Sequence, residues 1–314
     1  MDMSVKKATR EGYGDALLEL VEKNELVYVF DADLSKSTKT DTVLKKHPER
    51  FINCGIAEGN MMSVAAGLAA TGLIPFASSF AMFAAGRAFE QVRNSIAYPA
   101  LNVKIGATHA GLSVGEDGAT HQCCEDIALM RSIPGMVIIN PSDYVQAKAA
   151  VFAAAEHNGP VYLRFGRLAV PVINKADSKF EIGKGYVVNE GKDITVIATG
   201  LMVWEALKAS ESLKAMGVSV RVIDMPTIKP LDKELVLKAA KETGRIVTVE
   251  EHSIIGGLGE AVASCVCESE KPVPVTKIGV DDKFGVSGKA QSVLERFGLS
   301  DANIISVVKK CLKK

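Results

Sequence analysis

The hydrophobic positions of this chain follow two patterns that alternate along its length. Short apolar runs predict strands, and longer stretches with apolar side chains at helical spacing predict helices. In the first half, strands are predicted at 26–33, 74–80, 102–110, 135–141 and 161–165. Helices are predicted at 58–72, 81–98, 123–133 and 142–156. Strands that alternate with helices indicate a mainly parallel sheet covered on both faces.

The same alternation returns after a polar stretch at 171–192, which lacks a helical period and is predicted to be a linker. Further strands are predicted at 193–199, 218–224, 245–250 and 274–280. Further helices are predicted at 202–216, 232–242, 257–268, 288–297 and 301–313. We therefore predict an α/β protein with two consecutive domains, 1–170 and 193–314, each a mainly parallel sheet flanked by helices.

Composition and charge narrow the classes of function. The 314 residues are 47% apolar, enough for two cores, and 37 basic side chains balance 37 acidic ones. A balanced charge without a basic stripe argues against nucleic acid and membrane surfaces as main partners. The six cysteines form no C-x-x-C pair, so we expect reduced thiols in a cytoplasmic protein.

The loop "THAGLSVGEDGATHQ", residues 108–122, holds the densest group of reactive side chains, which are His109, Glu116, Asp117 and His121. It follows a predicted strand, at the edge of the sheet where open α/β folds bind ligands. Two imidazoles and two carboxylates can bind hydroxyls or phosphate, or transfer a proton. The alternative is a solvated loop with incidental charges, and the spacing of the histidines disfavours a metal site.

Glu58 is the only charged residue within "FINCGIAEGNMMSVAAGLAATG", residues 51–72. At a predicted helix start it could stabilise the positive end of the helix dipole. The alternative is a buried acid with a raised pKa that awaits a ligand nitrogen. The alanines and glycines that follow Glu58 would let another chain pack closely.

Two aromatic residues, Phe80 and Phe83, are three positions apart and share a face of a predicted helix. Such a pair usually belongs to a core, and the alternative is a wall on which a flat ring stacks. Arg10 lies at a predicted helix start, and Arg164 and Arg167 lie at a strand end. Each arginine is either a surface charge or a bidentate ligand for phosphate.

Together these segments resemble the C-terminal half of transketolase, a thiamine diphosphate enzyme. The resemblance runs from about residue 7 to the end of the chain. It rests on eight segments in the family's order, which are "ATREG", "DADLSKST", "GIAEGNM", "PFASSFAMFAAGRAFEQVR", "THAGLSVGEDGATHQ", "IPGMVIINPSD", "GPVYLRFGR" and "VTVEEHSIIGGLGEAV". It implies a pyrimidine-binding domain followed by a transketolase C-terminal domain.

The reaction implied by the resemblance belongs to the pentose phosphate pathway. It transfers a two-carbon ketol unit from a ketose phosphate, such as xylulose 5-phosphate, to an aldose phosphate, such as ribose 5-phosphate. The cofactor does the carbanion chemistry, and the protein tunes one ring nitrogen and positions the sugars.

The resemblance also implies a role for each matching residue. Glu58 would bind the aminopyrimidine nitrogen of thiamine diphosphate and, with His121, would be catalytic. Phe80 and Phe83 would line the pyrimidine ring, although a third aromatic residue found in many relatives is Gly86 here. The residues implied to bind the sugar phosphate are Arg10, Ser37, His109, Asp117, His121 and Arg167.

In this family a G-D-G segment followed by an Asn binds the diphosphate and Mg²⁺, and this sequence does not contain that segment. The resemblance therefore implies a split enzyme with no metal ligand on this chain. A separate N-terminal subunit would supply the diphosphate and metal site. The implied assembly is α2β2, in which the small-residue helix after Glu58 packs against its symmetry mate.

Three alternatives stay open at this point. A 1-deoxyxylulose 5-phosphate synthase and the beta subunit of a 2-oxo-acid dehydrogenase complex share this architecture. The segment "SSFAMFAAGRAFEQVR" is closer to transketolase than to the synthase, and the sugar-phosphate residues argue against the dehydrogenase. The third alternative is a non-catalytic assembly subunit, which the presence of Glu58, Asp117 and His121 disfavours.

Overall fold

The structure, a computed structural model, describes residues 5–313. Its strands are β1 (Lys6–Ala8), β2 (Val27–Asp31), β3 (Phe51–Asn53), β4 (Ile74–Phe80), β5 (Lys104–Thr108), β6 (Val137–Ile139), β7 (Val161–Arg164), β8 (Ala169–Pro171), β9 (Tyr186–Asn189), β10 (Ile194–Ala198), β11 (Val220–Asp224), β12 (Thr227–Lys229), β13 (Ile246–Ser253) and β14 (Val275–Val280).

Its α-helices are α1 (Thr9–Lys23), α2 (Ser35–Thr38), α3 (Asp41–Lys46), α4 (Glu58–Ala70), α5 (Phe89–Gln91), α6 (Asp126–Arg131), α7 (Tyr144–Glu156), α8 (Met202–Ala215), α9 (Lys233–Thr243), α10 (Leu258–Cys267), α11 (Ala290–Arg296) and α12 (Asp301–Leu312). Pro48–Arg50 and Leu112–Asp117 are 3₁₀ helices. Met82–Arg87 and Val92–Ala97 are π-helical.

Two mainly parallel sheets confirm the predicted fold class. The first sheet has seven strands in the order β12-β6-β7-β5-β4-β2-β3. All of its pairs are parallel except β12 with β6. Every residue of β4 is buried, as expected for a strand covered on both faces. One hydrophobic cluster, which includes α4, covers one face, and a second, which includes α1 and α7, covers the other.

The second sheet has five strands in the order β14-β13-β10-β11-β9. Its pairs are parallel except for the edge strand β9, which runs antiparallel to β11. Apolar side chains of α8 and α12 pack on one face, and those of α9 and α10 pack on the other. The stretch predicted as a linker therefore contains β9, and the predicted domain bounds stay a prediction.

One strand crosses between the two sheets. β12 follows β11 in the chain, yet it pairs with β6 at the edge of the first sheet. Next to it, the Asn140 amide donates to the Pro226 carbonyl at 2.7 Å. The sequence patterns did not predict this strand, because three residues are too few to show a period.

The helix predicted at 81–98 needs a correction. Two π-helical segments flank the short helix α5 instead of one continuous α-helix. The Ala88 amide donates to the Phe83 carbonyl and the Tyr98 amide donates to the Arg93 carbonyl, both across five residues. Hydrophobic period alone does not separate these bonds from α-helical ones, because both conformations wind one apolar face toward the core.

The helix predicted at 142–156 is α7, and its N-cap is Asp143, whose side chain accepts from the main-chain amide of Gln146 at 2.8 Å. All six cysteines are free thiols. Among residues 5–313, no helix combines the length and the apolar composition needed to cross a membrane.

Candidate active site

The carboxyl edge of the first sheet gathers most of the segments predicted to carry chemistry. β2, β4, β5 and β7 run parallel, and their register aligns Phe80 with Thr108 and Ala107 with Arg164. The 108–122 loop follows β5, and Phe83 follows β4 by three residues. Parallel strands end at the same edge, so residues far apart in sequence meet there.

His109 lies at the centre of this group. It follows β5 directly, adopts a left-handed conformation with φ 56°, and stacks on Phe80 with ring centroids 3.9 Å apart. Its Nε2 lies 3.3 Å from Arg10 Nη1, which can only donate, so the imidazole proton belongs on Nδ1, 3.0 Å from Thr108 Oγ1. Burial, and then the charges of Arg10 and Arg167, lower the pKa of His109 to about 3. His109 is therefore neutral at physiological pH.

Arg10 connects α1 to α2 across the site. Its Nη1 also donates to the main-chain carbonyl of Ser37 at 2.7 Å. Burial, and then the nearby charge of Arg167, lower the pKa of Arg10. Arg167 donates to the Val114 carbonyl and lies 3.2 Å from a Glu116 carboxylate oxygen. The two nearby guanidinium groups make this region positively charged, which would favour the binding of an anion.

Phe80 and Phe83 form an aromatic pair, although not on one helix face as predicted, because Phe80 is the last residue of β4 and Phe83 lies in the π-helical segment Met82–Arg87. Their ring centroids are 5.9 Å apart with planes 18° from parallel. His121 packs edge-on against both rings, with centroids 6.3 Å from Phe80 and 5.4 Å from Phe83. Its Nδ1 lies 2.9 Å from Thr120 Oγ1. The predicted aromatic wall and the second predicted histidine therefore meet.

Glu58 is the first residue of α4 and is only 1% exposed. Arg87 Nη1 donates to its Oε2 at 2.8 Å, and the Ser79 hydroxyl donates to its Oε1 at 3.4 Å. The Arg87 guanidinium also lies over the Phe83 ring, 4.5 Å from its centroid. In the single chain, Glu58 therefore has two protein partners, Arg87 and Ser79, that the sequence patterns did not predict. The four-residue spacing places Arg87 on the same side of its segment as Phe83, but no local sequence pattern links Arg87 to Glu58.

Direct contacts join the predicted residues into one group, which comprises Ser37, Arg10, His109, Phe80, Phe83 and His121, with Glu58 added through Arg87. Arg167 reaches the same area through Val114 and Glu116. Asp117 is exposed at the end of the Leu112–Asp117 segment, after a kink at Gly115. The hydroxyls of Thr108 and Thr120 beside the two histidines were missed by sequence reasoning.

Arg164 does not belong to this group of anion-accessible arginines. Its side chain is 3% exposed, and its Nε donates to a carboxylate oxygen of Asp126 at 2.8 Å. The Tyr162 hydroxyl donates to the same oxygen at 2.9 Å. Both alternatives predicted for Arg164, a surface charge and a phosphate ligand, were therefore wrong, because the side chain is buried and paired with Asp126.

Across the part of the chain that the structure describes, no three His, Cys, Asp or Glu side chains come together in a group that could hold a metal ion.

Two family models match the chain in succession. The model described as "Transketolase, pyrimidine binding domain" matches residues 5–172, and "Transketolase, C-terminal domain" matches residues 183–304. A protein of Methanocaldococcus jannaschii described as a putative transketolase C-terminal section is 52% identical over 312 residues, 99% of this chain and 98% of that protein.

Two further relatives extend the comparison. The 6-deoxy-6-sulfo-D-fructose transketolase subunit SqwH of a Clostridium species is 43% identical, over 94% of this chain and 92% of that protein. A solved structure described as a split gene transketolase, inactive beta4 tetramer, is 53% identical with a TM-score of 0.89 and 98% coverage of both chains.

Proposed function

This chain belongs to the transketolase family, and we propose that it is the C-terminal subunit of a two-chain transketolase. The proposed reaction moves a two-carbon ketol unit from a ketose phosphate, such as xylulose 5-phosphate, to an aldose phosphate, such as ribose 5-phosphate. It would serve the pentose phosphate pathway in the cytoplasm. The observation that carries the proposal is the continuous contact of Arg10, His109 and Phe80 beside the aromatic pair and the buried Glu58.

The surroundings of Glu58 fit the aminopyrimidine ring of thiamine diphosphate. A flat ring needs an apolar face, which Phe80 and Phe83 would line, and a ring nitrogen needs a buried carboxylate, which is Glu58. Arg87, which lies over Phe83 and donates to Glu58 in the single chain, would have to move aside for the ring. We propose that the Glu58 carboxylate holds that nitrogen by a hydrogen bond and controls its proton. When bound, the cofactor supplies the electron sink for breaking the carbon–carbon bond of the ketose.

The sugar phosphate would lie along the group from Arg10 to His121. Arg167 and Arg10, with the Ser37 backbone beside them, are placed to bind the phosphate. His121 would present its Nε2 to the reacting end of the sugar, because its Nδ1 already lies against Thr120. Asp117, one residue after Glu116, would bind a leading hydroxyl.

His109 has a different part in this proposal. Its imidazole is neutral, so it adds no third positive charge beside the two arginines, and its Nε2 would accept from a sugar hydroxyl in place of Arg10. Its stacking on Phe80 and its contact with Arg10 fix the ring in place.

We propose that a separate N-terminal subunit binds the diphosphate and Mg²⁺, and that the assembly is α2β2. Two relatives support this: one is described as a C-terminal section of transketolase, and the other as a split-gene enzyme whose beta4 tetramer is inactive. This chain alone would then be inactive, since half of the cofactor site would be absent. The small-residue face of α4 would pack against a second copy of the chain.

A ketol-transfer assay tests the proposal. The chain is incubated with xylulose 5-phosphate, ribose 5-phosphate, thiamine diphosphate and Mg²⁺, with and without an N-terminal transketolase subunit. We expect turnover only in the mixture, and a fall of at least about 100-fold with Glu58→Gln, as for loss of a group that controls a proton. Glu49→Gln, at an exposed glutamate, is the matched control and should leave the rate unchanged.

Two results would overturn the proposal. Turnover by the chain alone would mean that it holds a complete cofactor site. No ketol transfer in the mixture, with turnover once pyruvate is supplied, would move the chain to the pyruvate-using enzymes of the same architecture. Because one relative is a 6-deoxy-6-sulfo-D-fructose transketolase subunit, that sulfonated ketose is a useful second donor.

A further inference from the structure

The 108–122 loop, which carries Asp117 and His121, contacts the C-terminal domain through residues 111–113. Leu112 is fully buried and packs in the hydrophobic core of that domain, not in the core of its own sheet. The next residue, Ser113, donates its amide to Oε1 of Glu251 in β13. Gly111 adopts φ 77°, and a Cβ there would lie 2.5 Å from the Glu251 carboxyl carbon. The loop backbone therefore runs directly against this carboxylate.

A second attachment holds the other part of the loop. Gln122 is 4% exposed, and its Nε2 donates to the Val286 carbonyl at 2.9 Å. The Ser287 hydroxyl donates to the Glu116 carbonyl. A Cβ on Gly285 would lie 1.9 Å from Gln122 Oε1, so the segment at 285–287 fits closely against the loop.

These contacts fall beside two residues that are proposed to bind the sugar, Asp117 and His121. Glu116 directly precedes Asp117, and Gln122 directly follows His121. The side chain of Asp117 is exposed, so its position depends on the backbone on which it is mounted. Reacting groups must be held to within a fraction of an ångström, and a glycine-rich loop does not hold itself so closely.

We propose that the C-terminal domain positions the sugar-binding loop, with Glu251 and Ser287 as its positioning residues. Neither residue belongs to the group proposed to touch cofactor or substrate. They act through the Ser113 amide and the Glu116 carbonyl, which set the path of the backbone around Asp117 and His121. This inference rests on the proposed function of Asp117 and His121.

Amide hydrogen exchange of the 111–122 segment, measured by mass spectrometry on the full chain, tests the attachment without any activity. Glu251→Ala removes the acceptor of the Ser113 amide, and we expect exchange to rise about tenfold. Ser287→Ala removes a single exposed hydroxyl, so the variant should fold normally. We expect the exchange rate of the 111–122 segment to rise about threefold. Glu251→Gln keeps an acceptor oxygen and should restore the wild-type rate. Ser264→Ala, an exposed serine on α10, is the control.

Kinetics of the complex with an N-terminal subunit then test the consequence. Glu251→Ala and Ser287→Ala should raise KM for the ketose about tenfold and about threefold, with unchanged affinity for thiamine diphosphate. Unchanged exchange and unchanged KM in Ser287→Ala and Glu251→Ala would overturn the inference. So would a parallel loss of cofactor affinity, which indicates general damage. If the wild-type mixture transfers no ketol unit, the proposed function fails, and the exchange rates still decide whether the domain holds the loop.

Discussion

At the scale of single residues, burial separates side chains that carry the same charge. Arg164 lies in the interior, where burial acts to lower its pKa, but the adjacent Asp126 outweighs that effect and the pKa is raised. Arg167, three residues later, is 36% exposed and contacts Glu116 and Val114 at the surface. Arg164 therefore stabilises the folded chain, whereas Arg167 is available to bind an anion.

Arg164→Met should lower the free energy of unfolding by about 3–5 kcal/mol, because it leaves the charge of Asp126 buried without its partner. Urea denaturation of the full chain at neutral pH measures this. The matched variant, Arg167→Met, should change stability by less than about 1 kcal/mol but should raise KM for the sugar phosphate in the two-subunit assay. Similar losses of stability in the two variants would show that the buried Arg164–Asp126 pair contributes no more to the free energy of unfolding than an exposed pair does.

His109 should remain neutral throughout the range in which the enzyme is assayed. Its pKa is lowered to about 3 by burial and by Arg10 and Arg167, whereas an unfolded histidine titrates near 6.5. The unfolded chain therefore binds more protons between about pH 3 and 6.5, and His109 lowers stability as the pH falls through that window. Nitrogen NMR of the imidazole should show no titration between pH 5 and 9. A transition near pH 6.5 would contradict the buried, arginine-facing environment.

At the scale of elements, the sequence was informative wherever a segment was long and regular. The predicted helix at 202–216 is α8, Met202–Ala215, and the predicted strand at 74–80 is β4. The sequence was uninformative where pairing partners decide the structure. β12 has only three residues and is stabilised by pairing with β6, which lies almost ninety positions earlier in the chain. The π-helical segments were not predicted either, because they differ from an α-helix in their hydrogen bonds and leave the pattern of apolar residues largely intact.

The candidate site divides in the same way. Residue types and motif order pointed to Glu58, Phe80 and His109, which lie on or beside regular elements. They did not reveal Arg87 as the partner of Glu58, or Glu251 as the partner of Ser113. Those contacts join positions 29 and 138 residues apart, and no local period records a contact of that range.

The end of β11 offers a prediction about an element junction. Asp224 is fully buried, and its Oδ2 accepts from the Ser142 hydroxyl at 2.7 Å and from the side-chain amide of Gln146, Nε2, at 2.8 Å, at the start of α7. Burial raises the pKa of Asp224 to about 7, against the effect of these hydrogen bonds, and Asp143 adds to the rise. An unfolded aspartate titrates near 3.9. The native state therefore holds the extra proton, and stability falls as the pH rises from about 4 to 7.

Asp224→Asn keeps an acceptor oxygen for both donors and cannot ionise. Its stability relative to wild type should therefore increase between pH 5 and pH 8, by about 1.4 kcal/mol for each unit by which the pKa of Asp224 is raised within that range. Urea denaturation of both proteins at the two pH values gives the difference. The exposed Asp177→Asn is the control and should show no such change. A constant difference between Asp224→Asn and wild type would mean that Asp224 ionises freely in the folded chain.

At the scale of the whole molecule, the two sheets are joined in ways that make the site a property of the entire chain. β12 extends the first sheet from the second half, and Leu112 of the first half completes the core of the second. The C-terminal domain thus packs against the carboxyl edge that holds His109 and His121, although it contributes no residue to the group of site residues. Such interlocking favours one cooperative structure over two independently moving parts.

The same scale includes the proposed contact between two copies of the chain through α4. The outward face of this helix has Ser63, Gly67 and Ala70, and a Cβ on Gly67 would meet no atom within 4 Å in the single chain. Gly67→Ala should therefore stabilise the single chain by about 0.5–1 kcal/mol, because alanine loses less entropy than glycine in a helix. An arginine at position 67 starts from the same open Cβ position on an exposed face, so we expect a cost only where a second chain covers that face.

Gly67→Arg should weaken self-association at least about tenfold, since a paired helix would bury the new charge without a partner. Sedimentation velocity over a range of concentrations measures the effect, alone and with the N-terminal subunit. Ala215→Arg places the same charge on the exposed face of α8 and should sediment as wild type. If Gly67→Arg also sediments as wild type, then α4 faces solvent in the assembly. The small residues after Glu58 would in that case need another explanation, such as close approach of the N-terminal subunit to the cofactor site.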